Sequence, residues 1–433
     1  MKRFRFPLLA ASALLVLMAC SSTDESVKDD LKNAEPLPVN FGTYVNQGVT
    51  RAGTTGEIAS GADLKDKGGF GVFAYYTDNV EYSGNQIPNF MYNQAVTGSG
   101  TTDITWSYSP VKYWPNEYGN GANSDGVDML SFFAYAPYVA VTPSTGQLSG
   151  TAVDKTSGIT ALTRNTATGD PMVKYIVGSS PVDLLWGVKS TTSPTDPTNG
   201  LPHINKVRSA GTGDDKITFN FKHALAKLIT TVKYDGSAID ANSAIYIRSV
   251  TITGFASKGM LNLNNITANQ PLWLSYDGGE PTYEGMTFND GRKDGREGAV
   301  DGAQDNEKNK MINSAFVQTN TSTQGVTNSA SPLINNLYVI PTGGSESVDV
   351  TIVYDIETKD ANLSTKLSDG TTAGVSIENR ITKTNVFSTS TLKGFEAGKV
   401  YTLNLILGKK DVKFDVTVAT WVTGNTQNVN LPN

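Results

Sequence analysis

Cysteine is almost absent: the chain of 433 residues carries one, Cys20. An internal disulfide needs two thiols and cysteine-rich zinc sites need several, so both are excluded by count. Histidine is nearly as scarce, with only His203 and His223 present. A Ser-His-Asp triad would have to use one of them, and no G-x-S-x-G, H-E-x-x-H or Gly-rich phosphate loop occurs. Charged residues make up 18% of the chain and the formal net charge is −6; with no basic cluster, nucleic acid is not an expected partner. No apolar run reaches the roughly 20 residues of a transmembrane helix, and no long amphipathic helix can be traced. Nothing in this inventory demands catalysis, a cofactor or a metal.

What is present starts with the place of the single thiol. Lys2, Arg3 and Arg5 form a basic leader start, and Leu8 to Met18 form an apolar stretch of signal-peptide length. Leu17-Met18-Ala19-Cys20 then has the form of a lipobox, with Met18 bulkier than is usual beside the small Ala19. Acylation of Cys20 would give a stable membrane anchor, since each buried methylene contributes about 0.8 kcal/mol and one chain alone is marginal. A plain secretory leader with an incidental cysteine is the competing explanation. Removing the leader, with its three basic residues, takes the formal charge from −6 to −9. The following "SSTDES" reads as a solvated tether.

The rest reads as all-β. Glycine (42 residues) and tyrosine (18) are plentiful, as expected of many short strands joined by Gly-rich turns. Candidate strands are "PVNFGTYV" (38–45, irregular near Gly42), "FGVFAYYT" (70–77), a hairpin over 104–115, "MLSFFAYAPY" (129–138) and "PVDLLWGV" (181–188). They continue with "AIYIRSVTITGF" (244–255), "KGMLNL" (258–263), "LINNLYVIP" (333–341), "SVDVTIVYDI" (347–356), "KVYTLNLIL" (399–407) and "VKFDVTVATWV" (412–422). The run "KITFNFKHALAKLITTVKYDG" (216–236) reads as one long kinked strand. Residues 46–61 and 287–331 read as exposed loops. A boundary near 206–215 gives a leader (1–20), a tether with the first strand and a candidate propeptide (21–51), and two β-sandwiches (52–212 and 213–433).

Sites for chemistry are thin. In "DGRKDGREGAVDGAQDNEKNK" (290–310) the EF-hand spacing fails, because Arg292 takes a ligand position from Asp290, and Lys310 the glycine position from Asp305. The basic residues there oppose a divalent cation; a hydrated loop is the favoured reading and a cation site the other. Trp106, Trp114 and Trp273 suit either a sugar-stacking platform or, more commonly in sandwiches, the core. Paired carboxylates for glycoside hydrolysis have no sequence signature of their own.

Taken in order, the lipobox, "PVNFGTYV", "VTRAGTT", "GFGVFAYYT", "VKYWP", "SFFAYAPY", "FNFKHALAKLITTV", "AGKVYTLNLIL" and "FDVTVATWVTGNTQNVNLP" resemble the fimbrillins of Bacteroidetes, lipoprotein-derived pilins of type V pili. The resemblance implies two tandem transthyretin-like β-sandwiches and a subunit, stalk or tip, of an adhesive surface fimbria, with no catalytic role. It implies export to the outer membrane as a lipoprotein, then a trypsin-like cut in the loop after the first strand. In this chain Arg51, followed by Ala52, is the matching position, in a Gly-rich loop of the kind proteases favour. The cut would release Cys20 together with the strand bearing Val39, Phe41 and Val45, and expose an open sheet edge for a neighbour's strand. Head-to-tail repetition of such a contact yields a filament of like subunits.

The incoming strand would come from the C-terminus, where Val429 and Leu431 alternate with Asn428 and Asn430. The opposing readings are an Arg51 that is never cut and a terminal segment that stays in its own domain, with Trp421 as a core anchor. From a different class comes a monomeric, surface-anchored glycan-binding lipoprotein; a lipoprotein hydrolase is a more remote third.

Overall fold

The computed structural model describes residues 36–45, 57–101, 103–115, 128–150, 157–178, 182–190, 195–208, 216–234, 243–253, 255–276, 286–289, 331–341, 348–359, 375–387, 394–407, 412–421 and 429–430. Among these the protein is built from strands, with one short helix. The first half runs through β1 (Phe41–Val45), helix α1 (Gly61–Asp66), β2 (Phe70–Tyr76), β3 (Met91–Ser99), β4 (Thr105–Ser107), β5 (Leu130–Ala136), β6 (Gly158–Leu162), β7 (Met172–Ile176), β8 (Leu185–Lys189) and β9 (His203–Lys206). It continues into β10 (Ile217–His223), β11 (Ala226–Tyr234), β12 (Ser243–Ile252), β13 (Lys258–Asn262), β14 (Leu272–Leu274) and β15 (Met286–Asn289). The last strands are β16 (Ser331–Val339), β17 (Val348–Lys359), β18 (Val375–Phe387), β19 (Lys399–Leu407), β20 (Val412–Thr420) and β21 (Val429–Asn430).

The central strands of the first sheet show why near-continuous apolar runs are needed. The sheet has the order β1-β10-β8-β5-β2-β3-β4, with β9 added on β5. β5 is buried throughout and β2 at all but its last residue, the pattern of strands covered on both faces. Their side chains alternate between two cores. Phe70, Val72, Ala74, Phe132 and Ala134 join one cluster with Phe41, Phe219 and Phe221. Phe73, Tyr75, Phe133 and Tyr135 join a second, larger cluster with Ile159, Val173 and Tyr175 of the β14-β13-β7-β6 sheet.

The first sheet curls until its ends meet. Residues before β1 bond to the chain beyond β4: Val39 N–H donates to Lys112 O and Trp114 N–H to Leu37 O, both at 2.9 Å. β1 is thereby a stave in a closing wall, with Phe41 on the inside.

The second half forms two further sheets, β16-β11-β19-β20-β21 and β15-β12-β17-β18. β19 alternates, with Tyr401, Leu403, Leu405 and Leu407 buried, as expected of a strand with one covered face. They share the larger core with Val250, Val350 and Ile352 of β12 and β17.

Several sequence expectations are corrected. The run 216–236 is two strands in different sheets, because β10 pairs with β1 and β8 while β11 pairs with β16 and β19. The sheets therefore change at Ala224–Leu225, both fully buried, and not at residues 206–215. β13 and β14 lie beyond residue 213 yet complete the sheet of β6 and β7, so the halves interlock instead of following one another. The hairpin sought at 104–115 is β3 with β4; residues 111–115 contribute only a bridge from Tyr113 to Pro38. Of the stretch 46–61 read as an exposed loop, Glu57, Ile58 and Ala59 are buried, and 46–56 lie outside the described residues.

Candidate functional site

The site follows from what β1 touches. It lies parallel along β10 in an unbroken register from Phe41 opposite Ile217 to Val45 opposite Phe221. The irregularity expected near Gly42 is absent, since Thr43 takes the middle inward position. Val39, Phe41 and Val45 are buried, while Tyr44 is 65% exposed.

The Phe41 ring is caged by aromatic side chains from four neighbouring stretches. It stacks with Phe219 at 6.0 Å, meets Phe70 and Phe132 edge-on at 6.3 and 6.1 Å, and tilts on Tyr108 at 5.3 Å. Tyr108 also donates from its hydroxyl to Val39 O at 2.7 Å, and burial raises its pKa. Taking β1 away would leave an apolar trough floored by Phe70, Phe132 and Phe219. It would also leave the β10 edge without partners, the arrangement that a further extended strand satisfies.

At the other end of the chain, β21 lies antiparallel on β20, Val429 opposite Val418 and Asn430 opposite Thr417. The first apolar stretch of the terminal segment is not free to leave, because β20 is paired with β19 along its whole length and Val416 and Trp421 are buried. In the single chain, then, the described part of the terminal segment extends its own sheet. Cys20, Arg51, Ala52, Leu431 and the stretch 290–310 lie outside the described residues.

The remaining candidates take structural places. His203 packs edge-on against Phe219 at 5.2 Å. Its Nε2 faces Thr218 O at 3.0 Å; a carbonyl only accepts, so Nε2 carries the proton. Burial lowers its pKa to about 4, leaving the ring neutral. His223 pairs with Asp183 at 3.0 Å and stacks on Trp421 at 3.7 Å.

None of the five tryptophans is exposed. Trp114 and Trp106 pack in the core around Phe41, and Trp273 donates its Nε1–H to Ala224 O at 2.9 Å. Trp114, Trp186 and Trp421 are buried, and Trp106 and Trp273 half-buried. Among the described residues no group of three or more His, Cys, Asp or Glu side chains is placed to hold a metal, and no helix is long and apolar enough to cross a membrane.

The sequence reading missed the buried pair Glu57–Lys227. The available signal was a lysine inside the apolar run "HALAKLITT".

Comparison with known proteins supplies the context. The model of a family described as fimbrillin-like matches residues 50–421. A curated relative, fimbrium subunit Fim1C of Phocaeicola vulgatus, is 31% identical over 134 residues, 30% of this chain and 30% of the relative. That match thus spans less than a third of the relative's length. Among solved structures, a fimbrial protein from Bacteroides vulgatus aligns over 89% of this chain and 99% of its own, with a TM-score of 0.55 and 20% identity. At that identity the likeness concerns the fold.

Proposed function

This chain belongs to the fimbrillin-like family, and from that premise we propose that it is a structural subunit of a surface fimbria, stalk or tip, that serves adhesion and assembles by strand exchange. Cys20 carries the lipid that holds the precursor at the outer membrane. Cleavage between Arg51 and Ala52 frees the subunit from that lipid and from β1. A neighbouring subunit then lays its terminal segment, with Val429 and Leu431, along the vacated β10 edge. Because the donor segment and the acceptor edge are different surfaces of the subunit, the contact is heterologous, and repeated without closure it adds subunits head to tail.

One observation carries the reading. The inward side chains of β1, Phe41 and Val45, together with Val39 just before it, fill an aromatic trough. The strand is joined to the body by a segment containing an Arg-Ala bond between two buried anchors, Val45 and Glu57. Burial of three such side chains contributes on the order of 5 kcal/mol or more, so the trough has strong reason to be refilled once emptied.

The test is N-terminal sequencing and lipid analysis of fimbriae sheared from cells. The expected product begins at Ala52, lacks the acyl group, and carries a formal charge of about −7, the −9 of the leaderless chain less the five acidic and three basic residues of 21–51. Protein recovered as an acylated monomer that begins at Cys20 would overturn the proposal and return the glycan-binding alternative.

A further inference from the structure

A cluster of charged and aromatic side chains is buried where the first sheet gives way to the second. Glu57 accepts from Lys227 Nζ at 3.0 Å through one carboxylate oxygen and from Trp421 Nε1 at 2.8 Å through the other. The Glu57 and Lys227 side chains are only 6% and 7% exposed. The Trp421 indole stacks on His223 at 3.7 Å and on Tyr338 at 5.3 Å, and the Lys227 ammonium lies 5.8 Å from its ring centre. His223 pairs with Asp183, whose carboxylate also accepts the Ile58 N–H at 3.1 Å.

Burying an ion pair this deeply is a poor route to stability alone, since well-packed apolar residues often do as well. What the pair adds is a fixed choice of partner, because each charge left alone would be strongly unfavourable. Here the partners come from far apart in the chain: residues 57 and 421 are joined directly, and Asp183, His223 and Lys227 bring in three more strand ends.

The location matters as much as the bonds. β1 ends at Val45, opposite Phe221, two residues before His223. The next described residue is Glu57, and Trp421 closes β20's side of the cluster. The end of β1, Glu57 and Trp421 therefore converge on one end of β10. Just after Glu57, the Ala59 N–H donates to Asp63 and the Asp63 N–H to Ser60 Oγ, both at 3.1 Å, so α1 is capped and holds the same stretch.

We propose that this cluster is an interior clasp that joins the two ends of the processed subunit. It holds the body's new N-terminal stretch in place when residues up to Arg51 are removed, and it fixes the point from which the terminal segment leaves. Its use during assembly rests on the strand-exchange reading; the clasp itself does not.

The test is hydrogen exchange on the full chain, kept unassembled in detergent, followed in peptides covering 57–66, 412–421 and the central strands β2 and β5. Glu57→Ala removes both bonds; exchange should rise at least tenfold in 57–66 and 412–421 together, with β2 and β5 unchanged. Glu57→Gln combined with Lys227→Met removes both charges at once and should return both peptides to within about threefold of the parent. Exchange that rises in 57–66 while 412–421 keeps its protection would overturn the clasp, because the ends would then be held separately. Should Glu57→Ala not fold, Glu57→Gln alone leaves Lys227 without its counter-charge and gives the same comparison; unchanged protection in both peptides would again overturn it. None of these readings depends on polymerisation, so failure of the clasp and failure of strand exchange are told apart.

Discussion

The first and the last described strands are held in opposite ways. β1 is fixed by a ladder on β10, by backbone bonds from residues 37–39 to 112–114, and by a Phe41 ring enclosed in aromatic neighbours. β21 is a two-residue ladder on the edge of β20, and net hydrogen bonds of that kind contribute only about 1 kcal/mol each. Edges held that lightly open by local fluctuation, whereas a strand integrated into a core opens only with much of its domain. The difference teaches where a trigger is needed. On the strand-exchange proposal the C-terminal end would need none, whereas the N-terminal end would be freed by the proposed cut after Arg51.

The comparison breaks most readily at Phe41. Phe41→Ala in the uncut chain should lower the unfolding free energy by about 3–5 kcal/mol, measured by urea denaturation. Tyr44→Ala, on the same strand but facing solvent, should stay within about 0.5 kcal/mol. A loss below about 1 kcal/mol at Phe41 would mean that β1 rests on the body without being part of it.

Acid sharpens the contrast at the next scale. The folded chain holds His203 neutral with a pKa of about 4, against 6.5 for the ordinary group, because burial disfavours the charged ring. The unfolded chain therefore binds a proton that the folded chain refuses. Stability from this source is complete above pH 6.5, declines as pH falls toward 4, and changes no further below that. The whole span is roughly 3 kcal/mol at most. His203→Gln should flatten that part of the urea-midpoint profile between pH 7 and 4.5, and hydrogen exchange should show the first sheet loosening before the second. Equal pH sensitivity of parent and variant would remove His203 from the account.

The smallest expected effect on stability lies at the C-terminus. Val429→Asp and Leu431→Asp should shift the unfolding free energy by no more than about 0.5 kcal/mol while abolishing filament growth. Deletion of residues 424–433 should likewise leave a folded monomer. If that truncation unfolds the sheet of β19 and β20, β21 is a structural strand and the asymmetry between the two ends disappears.

Legibility in the sequence followed the strength of the local pattern. β2 and β5 were evident because strands covered on both faces must be apolar nearly throughout, and β19 because one covered face imposes alternation. β3 escaped notice because "MYNQAVTGS" buries only Met91, Asn93 and Val96 among polar neighbours. β6 and β7 were hidden in a Thr- and Gly-rich region, and their partner β13 lies far along the chain, where no local signal points back to them. The passage from β10 to β11 was invisible for a different reason: a chain that changes sheets inside the core uses apolar residues there, not turn formers. At the candidate site, Val39 and Phe41 were readable from alternation but its continuation to Val45 past Gly42 was not, and the partners of Glu57 depend on contacts that only the folded chain creates.

The crossing at Ala224–Leu225 has a mechanical consequence. Two residues without solvent exposure leave no slack between the first sheet and the second, and β13 and β14 reach back to lock the halves a second time. A pull applied between β10 and β11 therefore acts directly on this buried joint, with no exposed linker between the two strands to extend first.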